Sequence, residues 1–236
     1  MKQRIFILSL CALCVLLLGC KKDWGDPTTK NYSISGNYTA LDVSDAFEVM
    51  VSDKVSDVVV TVGEAAHKRV VVEVKNGQLI IGFKPNTVYS GTATAVIPAS
   101  VLREIDLSGA SSFIGDLSGD DVEIDLSGAS KYEGNISANK LEIDLSGASV
   151  VTIDGACQTT MEIELSGGSR LNAAYFDAPI VRGSMSGGSH ADVTCCNSIE
   201  VDLSGGSTLT YGTIAEECNP AVNCSTSGGS TVISRY

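Results

Sequence analysis

Large rings, histidines and positive charges are all scarce in this chain. Aromatic residues make up 6% of the 236 positions, with one tryptophan, whereas 24 positions are glycine. That balance disfavours an ordinary core built on bulky rings. The two histidines, His67 and His190, leave no His/Cys cluster at transition-metal spacing. Lys and Arg number 16 against 28 Asp and Glu. A surface so acidic repels phosphate backbones and argues against nucleic acid as a partner; it suits solubility, cations or basic partners. Neither a phosphate-binding loop nor an apolar stripe of helical period occurs, so helices are not expected to build the fold.

The longest apolar run, Ile5–Leu18, lies behind Lys2 and Arg4 and ends in Leu17-Leu18-Gly19-Cys20. A charged start, a short apolar stretch and a small residue at the cut read as an export signal over 1–19. The run is too short for an ordinary membrane span. Its end is similar to the lipobox, in which cleavage precedes a cysteine that becomes lipidated, here Cys20. Residues 20–30, polar and containing Gly25, Pro27 and the lone Trp24, read as a tether. Residues 31–236 then form one folded unit. Loss of Lys2 and Arg4 with the signal leaves 14 basic against 28 acidic side chains, a formal charge of −14.

What the chain has in abundance is one repeated phrase. REIDLSGAS begins at Arg103, VEIDLSGAS at Val122 and LEIDLSGAS at Leu141; looser copies start at Met161, Val181, Ile199 and Val222. The first serine of each Ser-Gly-Ala/Gly-Ser unit falls at Ser108, Ser127, Ser146, Ser166, Ser186, Ser204 and Ser227, at spacings of 19, 19, 20, 20, 18 and 23. Such a period marks a repeat architecture. Before each turn, apolar and acidic residues alternate, as in Ile105/Leu107 against Glu104/Asp106, which is the pattern of a strand with one buried face. A second alternation after the glycine buries Phe113, Tyr132, Val151, Leu171, Ala191, Leu209 and Val232. One coil cannot bury such a face alone, so coils must stack in register about 4.8 Å apart. The expected fold is all-β: a parallel β-solenoid, or β-helix, of about 19–20-residue coils over 101–236. A β-rich N-terminal cap with the first rungs is expected over 31–100, because an open first rung would expose an edge. Within it, Asn76-Gly77 predicts a hairpin between Val70–Lys75 and Gln78–Phe83. The seven serines are expected at corners, where glycine supplies unusual backbone angles.

The repeated EIDLSGAS, the upstream VEVKNGQLIIGF and the late LTYG followed by SGGS resemble the "putative auto-transporter adhesin, head GIN domain" family, over about Tyr38–Ile233. The resemblance implies a right-handed β-solenoid in the cell envelope of a bacterium, often one of the Bacteroidetes, and supplies no catalytic residues. Asp23 and Asp26, following Cys20, are similar to the acidic export signals of Bacteroidetes lipoproteins. The chain departs from an autotransporter, since no membrane barrel follows Tyr236 and Cys20 suggests a lipid anchor instead.

Catalysis finds little support in the pattern. Seven equivalent serines argue against one nucleophile, and a Ser-His-Asp triad needs convergence, whereas His190 lies on an outward column with Ser112, Lys131, Arg170 and Thr208. Glycosidases use two carboxylates in unlike environments; here they are repeated and alike, as on a solvated wall. Hydration accounts for that wall, and weak calcium binding at Glu104, Asp106, Glu123, Asp125, Glu142 and Asp144 is the functional alternative. No other cofactor is expected. Arg182 interrupts the glutamate column and is expected to relieve repulsion from Glu162 and Glu200. Five cysteines remain besides Cys20. Distance to the following serine aligns Cys195 with Cys218 on adjacent coils and predicts a disulfide there, with Cys218–Cys224 as the alternative. The function expected is therefore non-catalytic: a lipid-anchored envelope protein of the outer membrane, binding a glycan or surface protein, or serving as a structural component without a ligand.

Overall fold

Each repeat places its isoleucine and leucine on one side and its carboxylates on the other, so burial is complete only when coils stack. The computed structural model describes residues 23–213, 215 and 218–235; the export signal and Cys20 lie outside the described residues. The strands begin with β1 (Pro27–Tyr32), β2 (Ala40–Val43), β3 (Phe47–Ser52) and β4 (Val58–Gly63). After a 3-10 turn at Glu64–Arg69 come β5 (Val70–Lys75), β6 (Gln78–Phe83), β7 (Ala93–Pro98), β8 (Glu104–Leu107) and β9 (Ser112–Ile114). The long strands follow: β10 (Leu117–Leu126), β11 (Lys131–Leu145), β12 (Val150–Leu165), β13 (Arg170–Met185) and β14 (His190–Leu203). The last are β15 (Thr208–Gly212), β16 (Ala221–Val222), β17 (Ser225–Thr226) and β18 (Thr231–Ser234).

From β8 upward every pairing is parallel and joins equivalent residues of successive coils, Ile105 to Ile124, Ile143 and Ile163, and Leu107 to Leu126, Leu145 and Leu165. All eight side chains are essentially buried. Burying a residue of this size is worth roughly 1.5–3 kcal/mol, so the two columns hold successive coils together. The fold is the expected parallel β-solenoid. Register shifts between coils fall within residues 138–140, 152–160 and 173–180, and none falls in the acidic strand. Unequal coil lengths are absorbed away from that face.

The corners explain the repeated phrase. Gly147, Gly167 and Gly187 adopt φ near +70°, and a Cβ on any of them would collide with the corner carbonyl of the coil below. That close approach lets the turns bond to each other, with Gly168 N–H and Gly188 N–H donating to the carbonyls of Gly147 and Gly167 at 2.7 Å. The seven aligned serines stand at the entrance to the turn and are partly or fully exposed. Full burial belongs to the serine three residues on: Ser111, Ser130, Ser149, Ser169, Ser189 and Ser207 are at 0% exposure. The hydroxyls of Ser111, Ser130 and Ser149 donate to the carbonyls of Ser108, Ser127 and Ser146 at 2.8 Å.

At the N-terminal end the chain leaves sequence order. The pair β2 and β3 lies directly beneath β8 and β9, yet β6 and β7 sit beneath β2 and β3 in turn. Beyond them run antiparallel strands: β5 beside β6 through the expected hairpin, β4 beside β7, and β1 beside β4. The tether expected over 20–30 is shorter than that. Pro27–Lys30 belong to β1 and Trp24 is buried, because the indole packs on Tyr89 with ring centroids 5.7 Å apart. Phe83 joins Tyr89 to Phe47 at 5.0 Å each. Many of the scarce rings are thus spent on closing this end.

The opposite end differs. Among the described residues, no strand pairs with the far side of β16, of β17 or of β18 about Val232. Val222 and Ile233 are 36% and 47% exposed, where the equivalents one coil earlier of Val222 and Val232, Ile199 and Leu209, are at 0%.

Candidate binding face

The alternating carboxylates line up into two columns along one wall. Glu104, Glu123, Glu142, Glu162, Arg182 and Glu200 are consecutive register partners. The second column runs Asp42, Asp106, Asp125, Asp144, Glu164, Ser184, Asp202 and Ser225. Asp42 belongs to a degenerate eighth copy, Leu41-Asp42-Val43-Ser44, which the glycine-serine phrase does not reveal. Its turn uses Asp45 and Ala46 at φ near +60° instead of glycine. The signal that could have found it is the shared apolar-Asp-apolar-Ser order.

Stacking like charges at this spacing costs roughly 1 kcal/mol per neighbouring pair in water and several times more at lower effective dielectric. Asp125 bears the most. Partial burial, then Glu123, Asp144, Asp106 and Glu142, push its pKa up to about 6. Burial likewise raises Asp106, and burial together with Asp106 raises Asp42. Glu123 is raised by burial and by the glutamates above and below it.

Cations relieve the wall at two places. Lys140, which the repeat pattern does not single out, reaches Glu162 at 2.6 Å and Glu142 at 3.3 Å. Arg182 stands between Glu162 and Glu200 in the column, but its ion pair is to Glu200, at 3.5 Å. The relief expected on both sides therefore comes from two residues, because Lys140 already engages the Glu162 carboxylate. Arg103 and Lys140, with Glu104, Asp121, Glu123 and Glu142, line a shallow groove of about 260 Å³. Among the described residues, no group of three or more His, Cys, Asp or Glu side chains is placed to hold a metal ion. The carboxylates stand one above another and do not converge.

The histidines are apart. His67 is buried in the cap with Tyr32 Oη 2.9 Å from its Nδ1, and Nε2 lies 2.9 Å from the Thr28 carbonyl. His190 is exposed on the column of Lys131, Arg170 and Thr208.

The expected Cys195–Cys218 disulfide is corrected: Cys218 bonds Cys196, with Cα atoms 4.8 Å apart, and neither Cys195 nor Cys224 takes part. Cys195 points into the core and is 1% exposed. Its neighbour Cys196 is only partly buried and takes the bond instead. Cys218 precedes Asn219-Pro220 and is not on a strand, so counting back from Ser227 does not fix its side. Burial pushes the Cys157 thiol up to about 11 and also raises Cys195 and Cys224.

Fold and wall together define a single-stack parallel β-solenoid with a closed N-terminal end and a repetitive acidic side. The chain belongs to the family described as "putative auto-transporter adhesin, head GIN domain", whose model matches residues 37–213. Solved structures share the fold. A putative adhesin from Bacteroides fragilis is 17% identical with a TM-score of 0.68, covering 89% of this chain and 95% of that one. One from Parabacteroides merdae is 20% identical with the same score, covering 90% and 97%. A third, from Parabacteroides distasonis and described as a putative lipid binding protein, is 21% identical with a TM-score of 0.64, covering 90% and 98%. No curated protein matches the chain.

Proposed function

We propose that the chain is a non-catalytic lipoprotein of the cell envelope, anchored through Cys20, whose acidic solenoid wall binds a polymer or another envelope component. The observation that carries this reading is the register: equal carboxylates recur at every coil from Glu104 to Glu162. A ligand made of repeated units would meet the same groups again at each step. Acid–base catalysis instead calls for two carboxylates flanking one bond, whereas Asp125, though raised, stands in a column with Asp106 below and Asp144 above. The family description and the export-signal sequence support the same reading.

The test is retention of the full chain on an array of glycans and matrix proteins. Saturable retention that falls at least tenfold in Glu123→Gln/Glu142→Gln is expected, without release of product. No retention on any surface would replace this reading with that of a structural envelope protein, and product release would replace it with an enzyme. Cys20→Ser is expected to abolish labelled-palmitate incorporation and move the chain out of the membrane fraction. Calcium has no dedicated loop on this wall. Millimolar calcium is therefore expected to shift Tm no further than sodium at equal ionic strength.

A further inference from the structure

We propose that the C-terminal end of the solenoid is a self-association surface, on which a second copy of this chain docks end to end through its own last coil. The two ends of the stack are treated differently. The first is sealed by β4, β5, the 3-10 turn and the Trp24–Tyr89–Phe83–Phe47 rings. At the last, the far side of β16 and β17, and of β18 about Val232, has no strand paired to it among the described residues. Asn223 N–H and Ser227 N–H donate back to the Ile199 and Leu203 carbonyls. In a parallel ladder the alternate residues direct their backbone groups the other way. Val222, Cys224 and Thr226 thus present an edge ready for another strand.

Charge says what can cover it. The molecule is strongly acidic, yet no charged residue occurs from Cys218 to Ser234. The columns change at this coil: Asp202 is followed by Ser225, and Glu200, by the same register, by Asn223. A second copy approaching along the wall would set carboxylates against carboxylates. Among the described residues of this end, it meets neutral polar atoms, exposed Val222 and Ile233, and half-buried Val232 and Cys224. Arg235, the next charged residue, is turned back onto the coil below, where it donates to the Val193 carbonyl at 2.7 Å and pairs with Asp192.

Geometry fixes the arrangement. Two copies must keep their inner faces continuous for the apolar residues to meet, which requires a two-fold axis normal to the sheet. That operation reverses strand direction, so the end strands pair antiparallel and the contact closes at two copies. At the opposite end β1 and β5 are also paired on one side only, but they carry Lys30, Glu73 and Lys75, and charged edge strands resist pairing with another chain.

Sedimentation equilibrium of the full chain, in detergent matched in density by the buffer, tests this directly. A reversible monomer–dimer equilibrium is expected, with slowed amide exchange at Val222 and Thr226 as the dimer fills. Thr226→Lys, on an exposed edge position, should raise the dimer dissociation constant at least tenfold while Tm stays within a few degrees. Asn223→Asp/Ser225→Asp should do the same, with the loss shrinking in high salt. A chain that stays monomeric at 100-fold above the working concentration would overturn the proposal. So would a dimer indifferent to both folded variants, or assemblies that keep growing with concentration, which indicate head-to-tail contact. The array experiment reads the acidic wall and can fail independently.

Discussion

Asp125 carries more like charge than any other residue resolved on the wall, and its titration should be visible in the stability of the whole chain. Its carboxyl titrates near 6 when folded against an ordinary 3.8, so the folded state holds the proton more tightly than the unfolded chain. The penalty is fully present above pH 6 and is relieved as pH falls from 6 toward 4. Asp125→Asn is expected to raise Tm at pH 7 by about 2–4 °C, roughly 1 kcal/mol after solvent screening, and to flatten the pH dependence between 4 and 6. Thermal melts across that range check both. The two serines of one motif should behave differently. Ser149→Ala removes a buried hydroxyl that donates to the Ser146 carbonyl, and should cost about 1–2 kcal/mol. Ser146→Ala, at the partly exposed position, should stay within about 0.5 kcal/mol in urea unfolding.

At the scale of strands, the wall is legible in the sequence because alternation and a period of about 19–20 residues together fix both face and register. Column order from Glu104 to Glu200 follows from counting alone. Arg182→Glu turns its contact with Glu200 into repulsion and should lower Tm by about 1–3 °C at low ionic strength, less as salt is added. Equal melts at 10 mM and 500 mM salt would count against that register-based attraction. Other features are not legible, for physical reasons. Local pattern says which strands form, but not that β6 and β7 slip beneath β2 and β3, since that choice is made by long-range pairing. Lys140 reaches its partners through a flexible side chain whose direction no periodicity encodes. Cys196 escapes because its partner Cys218 lies off the strand, where alternation stops predicting which way a residue faces.

Taken as a stack, the molecule should not be equally firm along its length. Interior coils are held from both sides and the last from one, where the Cys196–Cys218 disulfide ties down its start and Arg235 straps down its end. Arg235→Ala is expected to speed amide exchange in residues 221–234 by tenfold or more while β11–β13 keep their protection, as hydrogen-exchange mass spectrometry would show. The register shifts lead to something further. Every coil must close its circuit at the same corner and present the same acidic strand, yet the circuits differ by up to two residues between Ser146 and Ser204. The slack is taken up in a seam of two tracks, one at residues 152–154 and 173–177 and the other at 138–140, 156–160 and 178–180. Chain length is thereby uncoupled from phase. A lineage of such proteins can lengthen, shorten or decorate that seam, and an engineer can graft a loop there, without moving a single carboxylate on the wall out of step.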